Sequence, residues 1–294
     1  MKDEPVSIVV LSYNGRRLLQ ENLPSVVQAA TGRNKGDEII LVDNGSTDGT
    51  EEFVKEKFPG VRLLRLETNH FVGAAYNAGV KSCSHRVVIL LNNDVRVTPD
   101  FIQPLLEYFA CENIFSVSSL SLSPGEKRKA ERPPYYLLYG GGQTAYHRAR
   151  FLELGGFHPI YGQYYYEDRD LGYRAWKRGW CSLCVPASVV YHRGEETIRR
   201  DPRRSVNLLR FRNRIIFFLS CYDNFWTALG LIIRSIAHTL WCCRPYLLVA
   251  LVWVYQNRDI ILAKRMMDKP FWKFSDRQVA RMVRRPVRLK KCKE

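Results

Sequence analysis

The sequence has no apolar run long enough to cross a membrane as a single helix. Its most apolar stretches near the C-terminus are residues 225–233, 235–243 and 245–257, with Arg234 and Arg244 between them. A spanning helix needs roughly 18–20 apolar residues, so these stretches predict shorter, amphipathic helices. Trp226, Trp241 and Trp253 suit the depth of lipid headgroups. We expect helices that lie in a membrane interface. A hairpin that dips into the bilayer, and a soluble helical appendage or dimerisation arm, are the alternatives.

The sequence also lacks a dinucleotide-binding glycine pattern and a cysteine framework. The turn after the first predicted strand reads Ser-Tyr-Asn-Gly at residues 12–15, without the Gly-x-Gly-x-x-Gly typical of nicotinamide sites. Of eight cysteines, Cys181 and Cys184 have the spacing of zinc ligands, but no second pair follows. The first five residues are polar and do not resemble a signal peptide. We therefore expect reduced thiols in a cytoplasmic protein.

Acidic residues are scarce in the last third of the chain. Residues 1–192 carry 22 basic and 21 acidic residues, whereas residues 193–294 carry 23 basic and 8 acidic ones. Such asymmetry predicts a tail that meets an anionic partner, either a membrane surface or a nucleic acid. Apolar runs separate the basic residues, and the chain has no recognised nucleic-acid-binding motif. The pattern therefore favours anionic lipid, and a nucleic-acid-binding protein is the alternative.

Apolar runs alternate with helical periodicity over the first 120 residues. Predicted strands cover Val6–Leu11, Glu38–Val42, Val61–Leu66, Arg86–Leu91 and Ile114–Leu120, with helices between them. This alternation is typical of right-handed βαβ units. The sequence predicts an α/β fold with a Rossmann-like, mostly parallel sheet flanked by helices.

The later pattern is less regular. We predict a strand at Val185–Tyr191 and a helix at Leu171–Arg178 that ends at Gly179. Residues 1–200 are predicted to form the α/β domain. Residues 201–294 are predicted to form a basic, amphipathic helical region that associates with the membrane.

Polar side chains follow two of the predicted strands. Asn92, Asn93 and Asp94 end a strand whose composition predicts burial on both faces, and Asp43 ends another. Ligands of open parallel sheets bind beyond the carboxyl ends of the strands. Carboxylate and amide oxygens there suit a divalent cation and the phosphates that it carries. Ordinary turn formation or helix capping is the alternative explanation.

Glu167, Asp168 and Asp170 place three carboxylates within four residues. One of them is explained by the positive end of the predicted helix. Closely spaced acids raise one another's pKa, which suits a general base. His192, after an apolar run, is a candidate metal ligand, with a packed core histidine as the alternative.

Several motifs in the same order resemble glycosyltransferase family 2. They are residues 6–14 (VSIVVLSYN), 42–48 (VDNGSTD), 69–79 (NHFVGAAYNAG), 91–94 (LNND), 155–157 (GGF) and 167–171 (EDRDL). The resemblance covers roughly residues 5–195 and is greatest to the rhamnosyltransferase-like branch. It implies the GT-A fold, a nucleotide-diphosphate sugar donor, Mg²⁺ or Mn²⁺, and inversion at the anomeric carbon.

The resemblance also implies roles for individual residues on the nucleotide side. Ser12 and Asn14 would lie beside the nucleotide, and Asp43 would bind its base. Gly73 and Asn77 would line the nucleotide pocket. Asn93 would belong to the same nucleotide-sugar site.

On the reaction side, the resemblance implies that Asp94 binds the metal and that His192 completes the metal or diphosphate site. Asp168 would be the general base, while Glu167 and Asp170 would orient the acceptor or the base. Asn92 stands where the family often has an acid, so a neutral amide would ligate the cation more weakly. A catalytically silent sugar-nucleotide binder is therefore a further alternative.

Together these observations predict an inverting glycosyltransferase on the cytoplasmic face of the cell membrane. Its donor would be a UDP- or dTDP-linked sugar. Its acceptor would be a lipid-linked or polysaccharide hydroxyl in the synthesis of a cell-surface glycan. No nucleic-acid partner is expected.

Overall fold

A nine-stranded sheet forms the centre of the molecule, in a computed structural model that describes residues 4–127, 132–162, 164–194, 206–241 and 246–287. The strands are β1 (Val6–Ser12), β2 (Glu38–Asp43), β3 (Arg62–Arg65), β4 (Val87–Asn92), β5 (Val95–Val97), β6 (Ile114–Leu122), β7 (Tyr135–Leu137), β8 (Gln143–His147) and β9 (Cys181–His192). The helices that precede β9 are α1 (Arg16–Arg33), α2 (Thr50–Lys57), α3 (Val72–Ser82), α4 (Ile102–Leu106), α5 (Arg148–Glu153) and α6 (Glu167–Lys177).

The N-terminal half of the sheet is parallel, with the spatial order β3-β2-β1-β4. Side chains of β1 alternate between two cores: Val6, Ile8 and Val10 face one side of the sheet, and Val9 and Leu11 face the other. Helix α1 covers the first side and helix α3 the second. The apolar strands are thus covered by helices on both faces of the sheet, which confirms the predicted α/β fold.

The register of the parallel strands gathers polar residues at one edge. Ser12 of β1 pairs with Asp43 of β2, and Leu11 pairs with Asn92 of β4. The carboxyl ends of all three strands therefore lie together, as the sequence predicts.

The remaining strands make the sheet more mixed than we predict from the sequence. Strand β8 runs antiparallel between β4 and β6, while β9 runs parallel to β6. Both β5 and β7 pair antiparallel with β9. Strands β6 and β9 therefore run in the same direction as the first four strands, and β5, β7 and β8 run against them. The chain enters β8 after the glycines at 140–142.

Some boundaries differ from the predicted ones in ways that affect the site. Helix α6 begins at Glu167 rather than at Leu171, so the three carboxylates occupy its first turn. The short strands β5 and β8 were missed, because each contains only a few apolar residues. Of the helix expected from Pro99 to Phe109, the structure forms α4 and a 3₁₀ turn at Glu107–Ala110.

Within the described part of the chain, five helices follow the sheet. They are α7 (Val206–Cys221), α8 (Phe225–Trp241), α9 (Tyr246–Gln256), α10 (Arg258–Asp268) and α11 (Asp276–Val283). Buried residues of these helices, such as Phe211, Ile215 and Ile261, belong to the same apolar core as β1 and α1. No helix among the described residues is long and apolar enough to span a membrane.

The tryptophans of the predicted interfacial helices differ in side-chain exposure. Trp226 is 75% exposed. Trp253 is half-buried and packs under the Arg212 guanidinium, 4.3 Å from the ring centroid. The side chain of Trp241 and the domain boundary predicted near residue 200 lie outside the described residues.

Candidate active site

A cavity of about 310 Å³ opens where β1, β2 and β4 end. The sheet edge contributes Tyr13, Asn44, Asn92, Asn93 and Asp94 to its wall, and the facing elements contribute Asn69, His70, Gly73, Tyr76, Gly142, Phe157, Tyr164, Tyr165, Glu167, Asp168 and His192. Its volume is within the usual range for small-molecule sites. Seven of the twelve residues predicted for the site therefore share one cavity, and they come from widely separated parts of the chain.

Two glycines allow the backbone to approach the other walls of the cavity. A Cβ on Gly73 would lie 2.8 Å from the Cβ of Phe157, and one on Gly142 would lie 2.7 Å from Nδ2 of Asn92. Separations this short would push the walls apart. Both positions therefore require glycine if the cavity is to keep its shape.

Asp94 and His192 face each other across adjacent strands. The antiparallel pairing of β5 and β9 places Val95 opposite His192, and His192 Nε2 lies 3.0 Å from Asp94 Oδ1. Both atoms are buried, yet neither has a hydrogen-bond partner of good geometry. A carboxylate oxygen and an imidazole nitrogen that converge in this way fit a divalent cation.

These two residues would be only part of a metal site. No group of three or more His, Cys, Asp or Glu side chains within the described segments is arranged to hold a metal. A cation at Asp94 and His192 would therefore take its other ligands from water and from a bound diphosphate, as Mg²⁺ and Mn²⁺ commonly do.

Glu167 and Asp168 line the same cavity, from the first turn of α6. Burial and the neighbouring Asp168 carboxylate raise the pKa of Glu167 to about 8. Burial also raises the pKa of Asp168, to about 6, against the lowering effect of the Arg169 N–H, which donates to Asp168 Oδ1 at 2.6 Å. At neutral pH, Asp168 is therefore the ionised member of the pair and Glu167 the protonated one.

The loop that leads into α6 has a strained backbone. Tyr165 and Tyr166 have φ values of 66° and 78°, in the left-handed region that side chains other than glycine rarely adopt. Each such residue costs roughly 1–3 kcal/mol and persists only where its surroundings enforce it. Tyr165 lines the cavity, so the strain lies directly beside the two carboxylates.

Asn44 is the main residue of the cavity wall that the sequence reasoning missed. Its Nδ2 donates to Asn69 Oδ1 at 3.0 Å and to the His70 carbonyl at 2.9 Å, and its Oδ1 accepts from the His70 N–H. It thereby fixes the loop before α3 against the end of β2. Its position directly after Asp43, at the end of a strand, was the one signal in the sequence.

Asp170 does not reach the cavity, although the sequence reasoning gave it an orienting role there. It is fully buried on the side of α6 that packs against the C-terminal helices. There it binds Arg174 Nε at 2.7 Å and Lys264 Nζ at 2.6 Å. Burial alone would raise the pKa of Asp170, but these two cations hold it well below its usual range. The role predicted for Asp170 is therefore corrected to an internal ion pair that joins α6 to α10.

Asn92 also has a different partner from the one that we predict. It borders the cavity, but its Oδ1 accepts from the Tyr76 hydroxyl at 2.7 Å. The amide oxygen is therefore directed at Tyr76, and the metal-ligand role expected of Asn92 is replaced by one in the cavity wall.

Four residues predicted to contact the nucleotide lie behind the cavity lining. Ser12 Oγ accepts from Asn93 Nδ2 at 2.9 Å, and Asn14 Oδ1 accepts from the Thr47 N–H at 2.8 Å. Asp43 is buried and accepts from the Ser46 N–H and from Arg65. Asn77 binds both backbone groups of Phe157. These contacts form a supporting layer beneath the cavity wall.

Comparison with known proteins agrees with this fold. The family model for glycosyl transferase family 2 matches residues 7–165, more than half of the chain. The N-acetylglucosaminyl-diphospho-decaprenol L-rhamnosyltransferase of Mycobacterium tuberculosis is 27% identical over 269 residues, which cover 75% of this chain and 86% of that protein.

Solved structures share the fold at low sequence identity. GalNAc-T7 with UDP, GalNAc and Mn²⁺ superposes with a TM-score of 0.62 at 22% identity, over 75% of this chain and 48% of that one. Staphylococcus aureus TarS with UDP-GlcNAc superposes with a TM-score of 0.60 at 13% identity, over 80% of this chain and 72% of that one.

The fold and the site define a glycosyltransferase of the GT-A class, which acts on a nucleotide-sugar donor. The chain belongs to glycosyltransferase family 2.

Proposed function

We propose that this protein transfers a sugar, with inversion, from a UDP- or dTDP-linked donor to a hydroxyl of a lipid-linked acceptor. One observation carries the proposal: Asp94 and His192 share a cavity with Glu167 and Asp168. A pair suited to the diphosphate and its cation thus faces a pair suited to proton transfer. Displacement at an anomeric carbon needs both.

Asp168 is the general base in this proposal. Its carboxylate is ionised at neutral pH and lies in the cavity wall, so it can accept the proton of the attacking hydroxyl. The new bond forms between the acceptor oxygen and the anomeric carbon as the bond to the diphosphate oxygen breaks. Glu167 keeps its proton at neutral pH and can donate a hydrogen bond to a substrate oxygen.

Asp94 and His192 would hold a divalent cation, which would neutralise the leaving diphosphate. Their orphaned oxygen and nitrogen are 3.0 Å apart, which supports a shared cation. When bound, Mg²⁺ or Mn²⁺ would neutralise charge on the diphosphate. The solved relative with UDP, GalNAc and Mn²⁺ supports the same metal class.

The nucleotide lies toward Asn44 and Gly73 in this proposal. Ser12, Asn14, Asp43 and Asn77 support that side of the cavity from behind, through the hydrogen bonds described above. Direct contact of Asp43 with the base would require the side chain to leave Arg65. We therefore assign these four residues to shaping the nucleotide pocket.

The acceptor is a polyprenyl-diphosphate-linked sugar in this proposal. Its support is the rhamnosyltransferase relative, whose name specifies an N-acetylglucosaminyl-diphospho-decaprenol acceptor. Such an acceptor lies in a membrane, so the enzyme needs a surface that reaches lipid. The C-terminal helices provide the features expected of that surface.

We propose that these helices lie on the cytoplasmic face of the membrane, in contact with anionic lipid. Twelve of the sixteen large apolar side chains that are exposed in the described structure lie between Phe225 and Phe271. Leu248 is 70% exposed and Met266 is 73% exposed. Exposed apolar groups of this number mark an interaction surface. The excess of basic residues after position 192 complements anionic headgroups, at about 1 kcal/mol for each residue near the surface.

The proposal is tested by a panel of UDP- and dTDP-linked sugars incubated with the purified full-length chain, with and without Mn²⁺. Release of the nucleoside diphosphate is measured before and after a prenyl-diphosphate-linked N-acetylglucosamine is added. We expect one donor to be consumed faster with the acceptor and with Mn²⁺. A chain that binds a sugar nucleotide but releases no diphosphate under any condition would instead be a silent binder.

A further inference from the structure

Glu167 and Asp168 lie between two buried anchors, and both anchors belong to the C-terminal helices. Asn213 of α7 contacts the backbone before the two carboxylates, and Lys264 of α10 contacts the side chain of Asp170 after them. Both anchors lie beyond residue 165, where the family match ends.

Asn213 is fully buried and directed at the strained loop. Its Nδ2 lies 2.9 Å from the carbonyl oxygens of Tyr161 and Tyr164, and 2.8 Å from that of Tyr165. Three carbonyl oxygens therefore converge on one amide nitrogen, which can donate only two hydrogens. An apolar residue or a carboxylate at position 213 would offer these oxygens no donor.

Arg212 fixes the amide of Asn213 in this orientation. Its Nε donates to Asn213 Oδ1 at 2.9 Å, and its Nη2 donates to the Tyr161 carbonyl at 2.9 Å. The loop that Asn213 contacts is the one in which Tyr165 and Tyr166 adopt left-handed backbone angles. Such angles persist only where the surroundings enforce them, and Asn213 is the buried group that contacts the loop at three points.

Lys264 anchors the other side of the carboxylate pair. It is 2% exposed, and its Nζ lies 2.6 Å from Asp170 Oδ1 and 3.3 Å from Asp268 Oδ2. The Tyr161 hydroxyl also donates to Asp170 Oδ1, at 2.8 Å. Tyr161 thus connects the two anchors, because Asn213 holds its carbonyl and Asp170 holds its hydroxyl.

We propose that Asn213 and Lys264 are positioning residues for sugar transfer, and that the C-terminal helices thereby set the place of Glu167 and Asp168 in the cavity. This inference rests on the proposed role of Asp168 as the base. Neither residue is among those that line the cavity, so their effect must pass through the loop and through α6. Small displacements of a catalytic group have large effects on rate.

The test uses full-length Asn213→Leu and Lys264→Met. The first keeps the number and branching of the side-chain heavy atoms but removes the donor, and the second keeps most of the side-chain length but removes the charge. Asn257→Ala and Lys269→Met are the matched controls. Asn257 donates a similar amide hydrogen bond, to the Trp253 carbonyl at 2.8 Å, within the same group of helices. Lys269 is an exposed lysine just after α10.

Three quantities are measured for each variant: the melting temperature, the Kd of UDP and of dTDP with Mn²⁺, and kcat and KM with the donor found in the panel. We expect kcat to fall about 10- to 100-fold in the two test variants, with the nucleotide Kd changed less than about twofold. The controls should keep the wild-type kcat. A role in stability alone would lower the melting temperature and leave kcat per folded molecule unchanged, and that result would overturn the proposal.

Two milder variants keep the test decisive if Asn213→Leu or Lys264→Met does not fold. Arg212→Met loosens the Asn213 amide without removing it, and Lys264→Arg retains the charge beside Asp170. We expect a smaller fall in kcat for Arg212→Met and near-complete rescue for Lys264→Arg. Folded Arg212→Met with wild-type kcat and acceptor KM would contradict the inference. If the wild-type chain transfers no sugar, the proposed function itself fails, which is a distinct result.

Discussion

The cavity edge of the sheet and the C-terminal helices differ in how their buried polar groups are paired and in how far their apolar side chains are exposed. At the cavity, three buried polar atoms have no hydrogen-bond partner among the described residues: Asp94 Oδ1, His192 Nε2 and Glu167 Oε2. In the C-terminal helices, buried charges such as Lys264 are paired, while large apolar side chains such as Leu248 are exposed. Both arrangements cost free energy in the isolated chain. In the proposed function a different ligand would relieve each cost, a charged sugar nucleotide at the cavity and lipid at the C-terminal helices.

The comparison also shows how the two regions depend on each other. Helix α6 presents Glu167 and Asp168 to the cavity and Asp170 to the C-terminal helices. Polar groups of one helix thus line the cavity at one side and form buried ion pairs at the other. Substitutions in the two regions should therefore differ in what they change: transfer at the cavity, lipid binding at the exposed face of the C-terminal helices.

The largest effect is expected for Asp168→Asn. This change keeps the shape of the side chain but removes the charge that accepts the proton, so kcat should fall by about 10³-fold or more. The Kd of the nucleotide should change little, because the diphosphate is held at the other wall. Transfer assays and isothermal titration with UDP or dTDP measure the two effects, with the exposed Asp100→Asn as control. Full activity in Asp168→Asn would remove Asp168 as the base.

A somewhat smaller loss is expected for Asp94→Asn, on the diphosphate side of the cavity. The change removes the only carboxylate of the proposed cation site, so transfer should fall about 10²-fold. In contrast to Asp168→Asn, the apparent affinity for Mn²⁺ should fall with it, as titration of Mn²⁺ by electron paramagnetic resonance will show. His192→Ala should act in the same direction and less than additively with Asp94→Asn, because the two residues share one ligand. Unchanged Mn²⁺ affinity in both variants would place the metal elsewhere.

The third effect concerns lipid rather than chemistry. Leu248→Asp combined with Val249→Asp places two charges on a face where the wild-type side chains are 70% and 59% exposed. Loss of two apolar contacts with lipid should lower partitioning to anionic vesicles by about tenfold or more. Cosedimentation with vesicles measures this, and Leu152→Asp, on α5 in the N-terminal region, is the control. Transfer to a short-chain, water-soluble acceptor should stay at the wild-type rate. Equal loss in the control would show that the effect is not specific to the C-terminal helices.

The sequence predicts the parallel half of the fold well and the connections between elements poorly. Strands β1, β2 and β4 are continuous β-branched runs that are buried on both faces, and such runs have few other stable structures. Strand β8 has only five residues and pairs with partners that are distant in sequence. A short strand of this kind depends on its neighbours, so local pattern does not identify it.

At the site, too, local sequence pattern predicts some residues and not others. The structure places Asp94, Glu167 and Asp168 in one cavity, where strand ends and a helix start meet at one sheet edge, and their predicted roles stay predictions. Asp170 was misplaced, although helix geometry rotates it by about 200° from Asp168. The error arose because we predicted that α6 begins at Leu171, four residues after its actual start at Glu167. Asn213 and Lys264 lay beyond any local pattern, because only the folded chain brings them to the loop.

The smallest predicted effect is the change of rate with pH, which distinguishes the ionised Asp168 from the protonated Glu167. The proposed reaction needs Asp168 ionised, so kcat/KM should rise as pH rises through about 6 and then level off. A reaction that also uses the proton on Glu167 should show kcat/KM falling again above about 8, where that proton is lost. Glu167→Gln keeps a hydrogen-bond donor that does not titrate, so it should remove the alkaline limb and change kcat at pH 7 only several-fold. Rate measurements from pH 5 to 9 test both limbs. An alkaline limb that persists in Glu167→Gln would assign it to another group and leave Glu167 a part of the cavity wall.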